Sequence, residues 1–569
     1  MDDQLATTYR VRSDERVAGS TRRYVIYRMV AVWLPGTIAI SAIAVFCWLA
    51  TWQIMLPGLY YDELIQIVPA LDIVRGPLTS YVGGIPESRV QLFGRTIALM
   101  TMDYMGAVKQ FAFLPVAALA GVTPESIRIF SIGIGALSLL ATFAFVRRLY
   151  GSLMAVLTVV LLATDPSMIF YARVDYGPTV FMLLFKAVAL WQCARWWQAG
   201  SLVSLLLGSL ALGLGVYDKT NFLWAAGAIV LSTALISFRG LARRLSARMV
   251  LVAAGGFAVG SLPLIWFNLT WPPRTLQALL GPAMQDPVGG SPLTQIWHRL
   301  GLLLALLDGR QVEQWLGEGQ PLRPVTPIML GIAVVIILTL AAAPATRARV
   351  GPAMFALLCG LLILLAAAMT RGGFAPHHVI IAYPFPHVVI AAAMGHLVPM
   401  LLAGQGTVRR ALAVTALALG VLLPTGSSII AYSTIMQHLE FHGGRRNWSD
   451  AIYRLHEVVG RARPPAVAVV LDWGIHFNLV ALSQGRLTSL ELWPLLNDPT
   501  APPDPVVRLF AEPNHRYILH APEATNFRRA RDRFFDLVRQ SRVNARLEAV
   551  IISRDGKPVF EVYSIVPGV

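Results

Sequence analysis

Asp62 and Glu63 sit side by side in LPGLYYDELIQ, residues 56–66, directly after a long apolar run that starts at residue 29. A carboxylate there can take a proton from a hydroxyl, and partial desolvation would make it a stronger base. The competing reading is local: Asp62 caps a helix and Glu63 lies in its first, electropositive turn. Further groups of the same kind follow. Lys109 in DYMGAVKQF suits a phosphate contact or a snorkelling interfacial role. Arg173 and Asp175 lie in YARVDYGPTVF, where Asp175 is either a second carboxylate facing Asp62 or a helix cap. Arg371, His377 and His378 lie in RGGFAPHHVIIAYPFPHVV. Adjacent histidines on a helix point about 100° apart, so hydrogen bonding to a phosphate or sugar suits them better than shared metal ligation. Lys186 and His387 fall inside apolar runs, and DWGIHFN at 472–478 ends a short strand.

The elements that must position these residues are set by composition. Of 569 residues, 56% are hydrophobic and only 14% are charged, with a mean hydropathy of +0.60. That is an α-helical polytopic membrane protein. About eleven spans are expected, near 29–56, 125–146, 152–170, 177–197, 201–216, 222–238, 249–268, 326–343, 352–370, 379–403 and 411–433. The net charge of +16 comes from 47 Lys+Arg against 31 Asp+Glu. The arginines gather between apolar runs, which is topology signal rather than a nucleic-acid footprint. Residues 1–28, with Arg10, Arg12, Arg16, Arg22, Arg23 and Arg28, form a basic tail expected in the cytoplasm. Arg147-Arg148, Arg243-Arg244, Arg347 and Arg409-Arg410 then fall on the same side. Asp62, Glu63, Lys109, Arg173, Asp175, Arg371, His377 and His378 all fall on the other, as around a cavity open to the extracytoplasmic face. Cys47, Cys193 and Cys359 form no CxxC pair, so neither a disulfide framework nor a thiolate metal site is indicated.

Three regions are expected: the tail 1–28, a membrane body 29–433 with a long first outer loop 57–124, and an extracytoplasmic α/β domain 434–569. In the outer loop, Leu64, Ile67, Val68, Leu71 and Val74 have the spacing of an interfacial amphipathic helix kinked at Pro69. In the last region, NWSDAIYRLHEVVGR and TNFRRARDRFFDLVRQ read as helices, and PAVAVVLDWG and RYILHA as strands. RLEAVIISRDGKPVFEVYSIV reads as a hairpin turning at Asp555-Gly556.

These features resemble the GT-C glycosyltransferases, in particular the branch of protein O-mannosyltransferases and lipid A aminoarabinose transferases. YYDELIQ is similar to the family's acidic pair in the first outer loop, and MGAVKQFAFLP to its lysine segment, without the double proline that usually follows the lysine. ARVDYGP is similar to the acidic position of the second outer loop. The resemblance covers about residues 55–185 in motif and the rest in architecture. It implies a sugar donor carried on polyprenyl phosphate and a lipid, glycan or protein acceptor outside the cytoplasm of a bacterial inner membrane. By the resemblance Asp62 would be the general base and Glu63 its support. Lys109 would bind the phosphate, with Arg173 and Arg371. Asp175, Tyr61, His377 and His378 would shape the donor and acceptor site. No cofactor is required, and a divalent cation between Asp62 and Asp175 stays open. The lipid bilayer is the implied setting, and nucleic acid is not an expected partner.

The rival expectation is a transporter or flippase of a lipid-linked glycan. That calls for ionisable groups near mid-membrane and repeated halves. The sequence shows no repeat, and its ionisable candidates keep to one face.

Overall fold

The structure is a computed structural model, and it describes residues 33–76, 85–92, 94–280, 291–317, 323–370, 376–402, 406–461 and 466–568. The basic tail and Arg371 lie outside the described residues.

Seven helices among the described residues are long and apolar enough to cross a membrane: Trp33–Thr51, Pro124–Tyr150, Thr220–Arg244, Val325–Ala342, Gly351–Met369, Phe385–Leu402 and Thr407–His442. Their outward faces carry exposed Ile40, Val230, Leu235, Val335, Val408 and Val414. Apolar surface on that scale marks an integral membrane protein. Two expected spans are bent pairs, Ser152–Thr164 with Pro166–Arg173 at 62° and Ala247–Gly260 with Leu262–Thr270 at 71°, which brings the count to nine. The first break has a local cause: the Asp165 side chain accepts from Met168 N and starts a new helix, with Pro166 at its first position. Expected spans 177–197 and 201–216 are the helices Thr179–Ala199 and Leu202–Asp218. The first carries Lys186 and Arg195 and the second has 17 residues, so neither is both long and apolar enough to count. The expected total of eleven is therefore not reached on length and composition.

The last span also runs further than expected. Its helix continues to His442, past residue 433, and stops where Gly443 and Gly444 take φ of 75° and 94°. The tail domain that follows is built on a five-stranded sheet. Its spatial order is Ser489–Glu491, Val467–Val470, His515–His520, Pro558–Pro567, Val543–Ile552. The first three strands run parallel, and the last two form the antiparallel hairpin expected at Asp555-Gly556. Helix Arg528–Gln540 packs Phe534 and Leu537 onto one face of this sheet, against Val469, Tyr517 and Leu519.

The other face of the sheet meets the first outer loop. Leu59, Leu64, Ile67, Val68 and Leu71 are buried in one cluster with Ile452, Leu455, Phe477, Leu479 and Ile518. The apolar stripe read as membrane-facing thus packs on the tail domain. Periodicity identifies an apolar face but not its partner, because protein core and lipid offer the same apolar environment. The segment is also two helices, Tyr61–Leu64 and Val68–Arg75, with Pro69 in the first turn of the second. The loop adds two small hairpins, Arg89–Leu92 with Arg95–Ala98 and Met100–Met102 with Met105–Gly106, which the sequence reading did not anticipate.

Candidate active site

Asp62 and Glu63 occupy one short helix and have opposite surroundings. Glu63 is buried, and its carboxylate takes two bonds from Arg128, Nε to Oε2 at 3.2 Å and Nη2 to Oε1 at 3.1 Å. Its Oε1 also accepts from Tyr60 N at 2.9 Å. Arg128 in turn donates to the carbonyls of Ile54 at 2.6 Å and Gly58 at 3.3 Å. This fully paired group fixes the loop that leaves the first span. The Asp62 carboxylate takes no hydrogen bond or ion pair from any described residue and keeps partial exposure. Burial raises its pKa to about 6, against the pull of the Lys219 ammonium, which favours the ionised form.

Lys109 bridges the first and second outer loops. Its Nζ lies 3.0 Å from Asp175 Oδ2 and donates to the carbonyls of Asp175 at 3.0 Å and Glu63 at 3.4 Å. Asp175 Oδ1 accepts from Thr179 N at 2.8 Å and Val180 N at 3.1 Å, so this carboxylate starts helix Thr179–Ala199 while neutralising Lys109. It does not present two free oxygens toward Asp62. Arg173 is fully buried and points elsewhere: it donates to the carbonyls of Trp52 at 2.5 Å and Gln53, and to Tyr432 Oη at 3.3 Å. Those bonds close the end of the first span.

Lys219 was not singled out from the sequence. Burial lowers its pKa to about 8, opposed by the carboxylates of Asp62, Asp218 and Asp175. Its Nζ lies 3.4 Å from His377 Nε2 and donates weakly to Gly177 O at 3.5 Å. His377 and His378 are pushed well below the usual imidazole range, first by burial and then by Lys219, so both imidazoles are neutral. The neighbouring Asp218 is buried, and neither of its carboxylate oxygens has a hydrogen-bond partner among the described residues. The available signal was VYDKTNF in the short outer loop 217–221: adjacent opposite charges at the end of an apolar run.

Aromatic side chains connect this cluster to the tail domain. Tyr60 stacks on Trp448 with centroids 3.8 Å apart, and Tyr176 meets Tyr60, Trp448 and His377 edge-on. Tyr61 Oη donates to Glu491 at 3.1 Å, and its ring packs on Phe477 and Trp473. Burial raises the Glu491 carboxyl to about 7. The 472–478 loop is thus a brace, with Asn478 Nδ2 donating to Leu59 O at 2.5 Å. Gly58 shows how close the approach is: a Cβ there would lie 2.1 Å from Ser449 O. Away from this site, Lys186 donates to Ile381 O. His387 Nε2 and Tyr383 Oη both meet Asp165 Oδ2 at 3.1 Å, which ties the broken span to the span Phe385–Leu402.

Comparison with solved structures gives the fold its place. ArnT from Cupriavidus metallidurans bound to undecaprenyl phosphate superposes with a TM-score of 0.57 over 94% of this chain and 98% of that one, at 13% identity. The fold is ArnT-like. It is the GT-C-like architecture, membrane helices followed by a small sheet domain, that the sequence resemblance implied. The apo state of the same ArnT superposes equally well, with a TM-score of 0.57 at 13% identity over 94% and 98% of the two chains. The archaeal oligosaccharyltransferase AglB from Archaeoglobus fulgidus, in complex with an inhibitory peptide and a dolichol-phosphate, gives 0.49 at 12% identity, over 86% of this chain and 70% of that one. Residues 110–267 match the dolichyl-phosphate-mannose-protein mannosyltransferase family model, a segment that contains Arg128, Asp175 and Lys219 but not Asp62. No curated protein matches the chain in sequence.

Proposed function

We propose that the protein transfers a sugar from a polyprenyl-phosphate carrier to an acceptor hydroxyl on the extracytoplasmic face of a bacterial inner membrane. The observation that carries this reading is the state of Asp62: a part-exposed carboxylate with no partner among the described residues, with a pKa raised to about 6 beside Lys219. Such a group is ionised at neutral pH and is a stronger base than an ordinary aspartate. The acceptor oxygen forms a bond to the anomeric carbon as its proton passes to Asp62. The bond from that carbon to the phosphate oxygen breaks, and the phosphate leaves with the electron pair. Lys219 stabilises the departing charge. Lys109 and Arg173, neutralised or committed to carbonyls, position the loops that hold the site. Neutral His377 and His378 offer hydrogen bonds to sugar or phosphate. The reading calls for no cofactor. ArnT was crystallised with undecaprenyl phosphate, and the match to the mannosyltransferase model supports the same donor class here.

The test compares membranes holding wild type and Asp62→Asn, each given radiolabelled polyprenyl-phosphate sugars and native envelope acceptors. Label transferred by wild type alone supports the reading. Equal transfer by both removes Asp62 as the base. Flipping of the labelled lipid by both, with no transfer, replaces the enzyme with a transporter.

A further inference from the structure

A chamber of about 510 Å³ lies between the membrane body and the tail domain. We propose that it binds a saccharide and is the acceptor site, an inference that rests on the transferase reading above. Tyr60, Trp315 and Trp448 form its aromatic wall. Arg446 and Asn447 come from the turn after the last span, and Glu523, Asn526 and Lys557 from the tail domain.

A sugar ring offers hydroxyls that both donate and accept, together with an apolar face of C–H groups. Amides, a guanidinium and a carboxylate satisfy the hydroxyls, and aromatic rings cover the C–H face. The side chains needed are uncommitted. Asn447 is 8% exposed, and its buried Oδ1 has no partner among the described residues. Asn526, Glu523, Gln314 and Arg446 make no side-chain hydrogen bond or ion pair to any described residue, although all line the chamber. Asp555, by contrast, is neutralised by Arg445 at 3.6 Å and Lys557 at 3.5 Å. A buried amide oxygen without a donor carries an uncompensated desolvation penalty, and a ligand hydroxyl would remove it.

The chamber also reaches the right place. Tyr60 is both its wall and the N-cap of helix Tyr61–Leu64, two residues before Asp62. A peptide acceptor would more naturally extend a sheet edge. The edge strands here are Ser489–Glu491 and Val543–Ile552, and neither contributes to the lining.

The full-length chain, solubilised in detergent and immobilised, is exposed to reducing-end-tagged oligosaccharides released from the native envelope, and separately to tryptic peptides of envelope proteins. Oligosaccharides should be retained by wild type and by Asp62→Asn. Retention should fall at least about tenfold for Asn447→Ala and for Asn526→Ala, as expected from losing one hydrogen bond to a buried or desolvated partner. Asn526 is exposed, so its variant keeps the fold even if the Asn447 variant does not. Retention of peptides in place of oligosaccharides, retention of neither, or equal oligosaccharide retention by wild type and both chamber variants overturns the proposal. Binding is read without turnover. If wild type and Asp62→Asn both retain oligosaccharides while neither transfers sugar from any donor, the transferase reading fails while the saccharide site stands.

Discussion

Two carboxylates joined by one peptide bond behave as opposites. Glu63 is enclosed, met by the Nε–Nη2 edge of the Arg128 guanidinium and by the Tyr60 amide. Asp62 has no described partner and senses Lys219 only through the field. The difference arises from the helical turn between them: consecutive side chains diverge by about 100°, so one faces the packed loop and the other the open cluster. A paired buried charge holds structure, whereas an unpaired, partly desolvated one is available for chemistry. Asp175 and Lys109 repeat the first pattern, and Asp218 and Lys219 the second.

If this division is right, Asp62→Asn should reduce transfer by roughly 10²–10⁴-fold, the usual contribution of a general base. Its thermal stability should not fall. The folded pKa of Asp62 lies above the unfolded value, so the wild type binds the proton more tightly when folded. Wild-type stability contributed by this group therefore declines as pH rises from about 4 to about 6, and the neutral asparagine escapes that loss. Thermal unfolding of both forms across that window checks the sign, and a less stable Asp62→Asn at pH 7 would make Asp62 structural.

Breaking the closed pair should do the reverse. Arg128→Ala leaves the buried Glu63 charge uncompensated, with an expected loss of about 3–5 kcal/mol of stability. Lower yield and melting temperature should account for any lost activity per cell. If the purified variant melts normally and is merely inactive, Arg128 belongs to the chemistry and the contrast is wrong.

Lys219→Met should lower the turnover rate by roughly 10²–10³-fold, the scale seen when one charge-stabilising donor is removed from a reaction site. An equal loss in Arg173→Met, with its fold intact, would return the phosphate to the arginine. The pH–rate profile sharpens the same point. Transfer should fall about tenfold per pH unit below about 6 as Asp62 takes up its proton. Lys219→Met should move that limb upward, because the ammonium is what lowers the Asp62 pKa. The smallest effect belongs to Tyr61→Phe, which removes the bond to Glu491 but keeps the ring contacts with Phe477 and Trp473. A loss of about 1 kcal/mol in stability with near-normal transfer is expected.

Much of this was legible along the chain. The apolar runs fixed most helices, the tail domain's strands at 467–470 and 515–520 and its hairpin fell where their patterns indicated, and most of the ionisable candidates lay between the apolar runs. Short strands at 89–92 and 489–491 were missed because three or four residues carry too little periodicity to register. Asp165 was read as part of a continuous span, although Asp-Pro in an apolar run is itself a break signal.

The sequence by itself determined that the chain has many membrane-length apolar runs, that most of its candidate site residues lie between those runs, and that Asp62 lies just beyond the first of them. These follow from hydropathy and charge, which act locally along the chain. Only the tertiary structure decided which of those groups are neutralised. Lys109 meets Asp175 across 66 positions, Arg128 meets Glu63 across 65, and Tyr61 meets Glu491 across 430. Pairing and burial set whether a charge is spent on structure or left for chemistry, and both depend on neighbours that are distant in sequence.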